Sequence, residues 1–162
     1  MSALDIAKLL RRVGRIAEPD ATGTTSDYTP PPALAGSVQV RHVDCGSCNG
    51  CEIELAGAFG PVYDAERYGA RLVASPRHAD VLAVTGAPTR NLAEPLRRSV
   101  EAAPRPRVVL AIGDCAAGEG AYAQGYAVVG AVADIVAVDL VVPGCPPPPD
   151  AIVAALRQVT GR

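Results

Sequence analysis

Three of the five cysteines of the chain lie close together, at Cys45, Cys48 and Cys51 in the stretch RHVDCGSCNGCEIEL. Three thiols are too many for one disulfide and too few for a closed four-sulfur metal site. The other two cysteines, Cys115 and Cys145, are far away in the sequence. A complete site therefore requires a fold that brings distant loops to one place, and this requirement is the strongest constraint on the fold.

Five short apolar runs predict β-strands, and helical stretches separate most of them. The strands are predicted at residues 38–43, 71–75, 80–86, 107–113 and 138–144, and the helices at residues 51–58, 92–103 and 149–160. Most of these strands are apolar on both sides, which is typical of a parallel sheet covered by helices on both faces. The sequence therefore predicts an α/β fold.

All five cysteines come just after predicted strands. The first strand leads into HVDCGSCNGC, the fourth into AIGDCAAGEG and the fifth into VVPGCPPPP. In a parallel sheet these loops emerge at one edge, where ligands bind, so the cysteines can converge on one point. The loops also contain glycines that let the backbone turn sharply and approach a bulky ligand: Gly113, Gly118, Gly120 and Gly144.

Simpler roles for the cysteines fit the pattern less well. A buried cysteine after a strand is usually a small apolar residue, but five in equivalent places are not explained in this way. A structural zinc site favours paired C-x-x-C motifs, whereas Cys115 and Cys145 are single. The bacterial ferredoxin run is matched for its first three cysteines and then fails at Leu55. The sequence contains neither G-x-G-x-x-G nor G-x-x-x-x-G-K-S/T, so a nucleotide or flavin site is weakly supported.

Charge and hydropathy exclude several other classes of protein. The formal charge of −2 argues against nucleic acid as the main partner. Apolar runs such as VLAVTG are far shorter than the ~20 residues that a membrane span needs, so we expect none. Arg11 and Arg12 are followed by no apolar region, so they are not expected to form an export signal. We therefore expect a cytoplasmic chain, where clustered thiols are more often metal ligands than disulfides.

The N-terminal part differs in composition from the rest. Residues 2–16 have apolar positions at helical spacing and predict a basic amphipathic helix. A segment rich in Pro, Gly and Thr follows and predicts an extended linker. Residues 1–36 are thus expected to be a helix that docks on a partner or at a membrane surface and a linker that holds it away from the domain, and residues 37–162 a compact domain.

Four motifs in order resemble a known family. They are DCGSCNGCEIE, SPRHADVLAVTG, GDCAAGEG and VPGCPPPP, and the resemblance covers about residues 38–160. They look like the small subunit of membrane-associated nickel–iron hydrogenases of the formate hydrogenlyase type. They are also similar to its homologue in the proton-pumping NADH–quinone oxidoreductase. The resemblance implies a flavodoxin-like sheet with helices on both faces and one 4Fe-4S cluster at the carboxyl ends of the strands.

The resemblance also implies which cysteines bind the cluster. Cys48, Cys51, Cys115 and Cys145 match the family's four ligands, and Cys45 is then a spare thiol or, as a less favoured choice, a substitute for Cys48. The NADH–quinone branch has adjacent cysteines at the first site. The Cys-Asn-Gly-Cys of this chain therefore favours the hydrogenase-like branch.

The resemblance implies an oxidoreductase subunit that is not catalytic alone. It would relay electrons between a ferredoxin-like iron–sulfur subunit and a hydrogenase-like large subunit, together with membrane subunits of the same complex. Such a chain would lie peripherally on the inner face of the cell membrane. The alternative is a cluster carrier of a quinone-reducing, complex I-related enzyme. A zinc-stabilised interaction module is a third, less favoured reading.

Several polar residues leave two interpretations open. Glu52 or Glu54 could line a proton path or simply form a solvated helix start. Arg77 could lie near the cluster and raise its potential, or it could be a surface arginine. His42 and His78 are too few and too scattered to be treated as ligands.

Overall fold

The computed structural model describes residues 28–162, and the helix predicted at residues 2–16 lies outside them. The strands are β1 (Val38–Asp44), β2 (Ala70–Leu72), β3 (Val81–Thr85), β4 (Val108–Ile112) and β5 (Leu140–Val142). The helices are α1 (Gly50–Ala58), α2 (Ala93–Ala102), α3 (Asp114–Ala117) and α4 (Pro149–Thr160). Each strand and helix predicted within the described residues is present, and the short helix α3 is an addition.

The five strands form one sheet in the order β2-β1-β3-β4-β5. Every neighbouring pair is parallel. This is the order of flavodoxin-like sheets, in which the chain reverses direction next to the first strand and ligands bind at the carboxyl ends. The predicted fold class is confirmed.

Two separate hydrophobic cores cover the two faces of the sheet. The first core packs Leu55 of α1 and Ile152 and Leu156 of α4 against alternate strand residues such as Leu110. The second core packs residues of α2 against the other alternate residues, including Leu82, Val84 and Val109. The five residues of β3 and of β4 are all buried, which is why these strands read as continuous apolar runs.

Residues that precede β1 pack against the first core. Leu34 lies in a short 3-10 helix, Pro32–Leu34, and is only 4% exposed. The Gly36 N–H donates to the Thr160 carbonyl at 2.7 Å, which ties this segment to the end of α4. Tyr28 packs partly against the same core. The end of the Pro-rich segment is therefore held on the sheet domain.

The helices of the domain are short. Within residues 28–162, no helix combines the length and hydropathy that a membrane crossing requires. The longest of the four named helices, α4, has 12 residues, whereas a membrane span needs about 20.

Replacing Leu34 with Ala tests the packing of the segment before β1. We expect Leu34→Ala to lower the free energy of unfolding by about 2–4 kcal/mol, because it removes buried methyl groups and leaves a cavity. Leu72→Ala is the matched control, since Leu72 lies on the edge strand and is 43% exposed. Its effect should stay below about 1 kcal/mol. Urea unfolding of both variants measures the difference, and equal losses would contradict the assignment of Leu34 to the core.

Candidate functional site

Four strands end at the same level of the sheet. The register pairs Asp44 with Thr85, Thr85 with Ile112, and Ile112 with Val142. The segments that follow β1, β3, β4 and β5 therefore leave the sheet side by side at its carboxyl edge. The cysteines that follow β1, β4 and β5 are brought to this edge, as the sequence predicted.

One pocket at this edge is lined by Cys48, Cys51, Cys115 and Cys145. Cys51 and Cys115 are buried, whereas Cys48 and Cys145 are exposed. Cys51 lies in the first turn of α1, and Cys115 lies in α3 and not in an irregular loop as expected. The pocket therefore has a covered side and an open side. Among residues 28–162, no group of three or more His, Cys, Asp or Glu side chains has an arrangement that could hold a single metal ion.

The four thiols influence one another electrostatically. Burial raises the pKa of Cys51 to about 11, and the charges of Glu52 and of the other three pocket cysteines act in the same direction. Desolvation by neighbouring atoms also raises the pKa of Cys145, with Cys115, Asp114 and Cys48 adding to it. Metal ligation requires thiolates, which a bound cation stabilises. Four sulfur donors around one pocket are the donor set that iron–sulfur clusters use.

Cys45 lies apart from these four thiols. It is fully buried in the second core, and burial together with Asp44 raises its pKa to about 12. Val38 and Val40 of β1 face the first core, so the two-residue period of a strand directs position 45 to the opposite face. The Cys45 side chain behaves as a small apolar residue in this position.

Glycines hold the backbone close to two of the sulfurs. Gly113 has φ of 91°, and a Cβ atom built on it would lie 2.6 Å from the Cys51 sulfur. A Cβ on Gly120 would likewise collide with the sulfur and backbone of Cys115. No side chain fits at either place without a shift of its neighbours. The loops thus form a narrow cradle around the sulfurs, and a four-cysteine cluster fits these residues.

Two aspartates fix the loops that carry the cysteines. Asp44 Oδ1 accepts the N–H groups of Gly46 at 2.8 Å and Ser47 at 2.9 Å. Asp114 Oδ1 accepts the Gly144 N–H at 2.6 Å and so joins the start of α3 to the segment after β5. Neither aspartate was singled out from the sequence. An aspartate two residues before a Gly-Ser pair, as in VDCGS, is the signal that could have identified Asp44.

Glu52 is bound by two hydroxyl groups. Its carboxylate accepts from Ser47 Oγ and from Thr85 Oγ1. His42 Nε2 lies 2.9 Å from Thr85 Oγ1 and 3.5 Å from Glu52 Oε1. The sequence left two interpretations open for Glu52, a proton path and a solvated helix start. The contacts of Glu52 with Ser47, Thr85 and His42 do not fit a solvated helix start. From the sequence, His42 and Thr85 had no assigned role at the site.

Arg77 does not approach the pocket. It is exposed and lies in the turn Pro76–His78, which directly precedes β3. This turn is at the amino end of the strand, and the cysteines are at the carboxyl ends. Arg77 is therefore a surface residue at the opposite end of the sheet, which favours the surface interpretation over a place near the cluster. His78 lies in the same turn.

Comparison with known sequences gives a family match and several relatives. Residues 48–159 match the profile of the family described as NADH ubiquinone oxidoreductase, 20 Kd subunit. The chain is 44% identical over 125 residues to formate hydrogenlyase subunit 7 of Escherichia coli, covering 77% of this chain and 49% of that protein. It therefore spans about half the length of that relative. It is 47% identical over 119 residues to the probable membrane-bound hydrogenase subunit mbhJ of Pyrococcus furiosus, covering 74% of this chain and 71% of that protein.

Solved structures show the same fold. A chain of the membrane-bound sulfane sulfur reductase, an archaeal respiratory membrane complex, superposes with a TM-score of 0.69 and 29% identity, covering 80% of this chain and 71% of that chain. A chain of an NAD+-reducing NiFe-hydrogenase superposes with a TM-score of 0.58, covering 78% of this chain and 93% of that chain. Its identity of 20% supports a common fold alone.

The glycine cradle yields a direct test. We expect Gly113→Ala to reduce the iron and sulfide that the chain retains after anaerobic reconstitution, because its Cβ would press on the Cys51 sulfur. Gly161→Ala is the matched control, since Gly161 also has positive φ, at 70°, but has nothing within 4 Å of the added Cβ. Gly161→Ala bears the backbone strain of about 1–2 kcal/mol for a left-handed residue, whereas Gly113, with ψ of 158°, lies in a region that is essentially confined to glycine. Iron is therefore compared only between variants that circular dichroism shows to be folded. Equal iron contents in the two folded variants would contradict the cradle.

Proposed function

The chain belongs to the family of the 20 Kd subunit of NADH ubiquinone oxidoreductase, and on this basis we propose that it carries one 4Fe-4S cluster bound by Cys48, Cys51, Cys115 and Cys145. It is an oxidoreductase family subunit, and its relatives support a role in electron transfer. When bound, such a cluster supplies one-electron oxidation and reduction. The observation that supports the proposal most strongly is the pocket lined by four thiols from three separate strand ends.

The residues of the chain each contribute to holding this cluster. Cys51 and Cys115 supply sulfurs on the buried side, and Cys48 and Cys145 supply them on the open side. Asp44 and Asp114 hold the loops through backbone N–H groups, which keeps the four sulfurs at fixed positions. The buried side excludes water from part of the cluster. The open side is where an electron can enter or leave by way of a second protein.

A single cluster can only relay electrons. We therefore propose that the chain passes electrons between a ferredoxin-like subunit and the large subunit of a hydrogenase-like complex of the formate hydrogenlyase type. The relatives at 44% and 47% identity favour this branch, since one is a formate hydrogenlyase subunit and the other is a hydrogenase subunit. Nickel, if the complex holds it, would be bound by the large subunit.

The open side of the site has a surface suited to a partner. The loop at residues 118–131 carries exposed Tyr122 and Tyr126 and the apolar Val129. An isolated bridge between Thr89 and Val128 fixes this loop to the segment after β3, at the same edge as the pocket. Exposed aromatic residues are enriched in protein–protein interfaces. We propose that the large subunit covers this surface and that the complex holds the chain peripherally on the inner face of the cell membrane.

The quinone-reducing branch is the second candidate. The family profile takes its description from NADH ubiquinone oxidoreductase, which favours a cluster carrier of a complex I-related enzyme. The two candidates differ outside this chain, because a hydrogenase large subunit carries two nickel-binding C-x-x-C motifs. The sequence of the partner large subunit distinguishes them. A zinc-bound interaction module would instead yield a colourless protein with zinc and without iron.

Cysteine variants test the ligand set. We expect Cys45→Ala to retain about four irons and four sulfides per chain, because Cys45 lies in the second core. Cys48→Ala should lose much of the iron and the reduced-state EPR signal, because the cluster would lack one thiolate. Both variants are reconstituted anaerobically beside the unchanged chain. Loss in the first and retention in the second would mean that Cys45 is the ligand, and zinc without iron in the unchanged chain would exclude the cluster.

Activity measurements test the relay. We expect the cluster-loaded chain alone to show no turnover of hydrogen, formate or quinone with an artificial electron donor or acceptor. The complex reassembled with its large subunit should turn over under the same conditions, because the substrate site lies in the partner. Turnover by the isolated chain would contradict the relay. An active complex without nickel would move the assignment to the quinone-reducing branch.

A further inference from the structure

Glu52 occupies an unusual place next to the cysteine pocket. It directly follows Cys51 in the first turn of α1, and its side chain is only 18% exposed. Ser47 Oγ donates to one carboxylate oxygen and Thr85 Oγ1 donates to the other. Ser47 belongs to the loop between β1 and α1, whereas Thr85 is the fully buried last residue of β3. The carboxylate thus connects the cysteine-bearing loop and helix to the centre of the sheet.

His42 completes this network. Thr85 has a single hydroxyl proton, and that proton is donated to Glu52. His42 Nε2 lies 2.9 Å from Thr85 Oγ1, so the imidazole extends the network beyond Thr85. Asp44 of β1 is in register with Thr85 of β3, so their side chains lie on the same face of the sheet. His42 is two residues from Asp44 in β1 and therefore lies on that face as well.

The other carboxylates of the site are held differently. Asp44 and Asp114 accept hydrogen bonds from backbone N–H groups of the loops around the pocket. Glu52 is held by side chains from β3 and from the preceding loop, so its position depends on residues that can be changed without altering the backbone. Its negative charge also acts on the neighbouring sulfur, since it contributes to the raised pKa of the Cys51 thiol after burial.

We propose that Glu52 is a positioning residue that fixes the Cys48–Cys51 ligand pair to the sheet through Thr85 and Ser47 and lowers the reduction potential of the bound cluster. This inference depends on the proposed function, because it requires a cluster on the four cysteines. A fixed negative charge beside a ligand disfavours the reduced, more negative form of a cluster. Cluster potentials respond to net charge and to hydrogen bonds around the sulfurs.

The charge is tested by Glu52→Gln in the cluster-loaded full-length chain. The amide keeps the size of the side chain and removes the charge, so we expect an EPR-monitored redox titration to give a higher reduction potential. Glu101→Gln is the matched control, because Glu101 is an exposed residue near the end of α2, away from the pocket. Its potential should equal that of the unchanged chain. A Glu52→Gln chain with full iron and an unchanged potential would overturn the inference while leaving the proposed function intact.

The hydrogen bond is tested by two substitutions of Thr85. Valine keeps the shape of threonine and loses the hydroxyl, whereas serine keeps the hydroxyl and loses a methyl group. We expect Thr85→Val to shift the potential and change the EPR line shape, and Thr85→Ser to restore both. A residue needed only for packing would give the reverse result, which would overturn the inference. The two Thr85 variants also test the inference if the Glu52→Gln chain fails to retain iron. Absence of iron from the unchanged chain would instead refute the proposed function.

Discussion

Backbone hydrogen bonds between parallel strands hold Asp44, Thr85, Ile112 and Val142 at one level, and the site depends on this alignment. Sequence positions as far apart as 48 and 145 meet because the strands that precede them end side by side. A slip of one residue would exchange the two faces of a strand. In β1 it would turn His42 away from Glu52 and would direct Cys45 toward the pocket side. The two apolar cores resist such a slip because they bury opposite sets of strand residues.

The sheet could be predicted from the sequence because buried parallel strands are continuous apolar runs. The edge strands were predicted too long, since β2 and β5 are only three residues each and one residue in β5, Val141, is exposed. The short helix α3 was missed because its four residues are too few for a helical period. The role of Leu34 was also missed, because a Pro-rich segment resembles a linker whether or not it packs on a core.

The site was predictable only in part, for a related reason. Cysteine spacing and strand ends are local features, and they indicated the four thiols together with a resemblance to a family. The contacts of Glu52 are not local, since Thr85 is 33 residues away from it and His42 is 43 residues away from Thr85. Such hydrogen bonds follow from tertiary packing, and a single sequence carries no signal for them. Arg77 is the converse case, because its place directly before a predicted strand is a local signal of the amino end, and the interpretation that put it near the cluster did not use that signal.

The unequal covering of the four thiols bears on how the protein is made. Two sulfurs are enclosed by their own chain and two face outward, so the nascent domain has an entrance on one side. Iron and sulfide can enter there while the chain is free, whereas a docked neighbour would close the same entrance. If the chain carries the proposed cluster, the inorganic centre would have to be inserted before a partner covers the open side. A premature docking event would trap a chain that can no longer be filled.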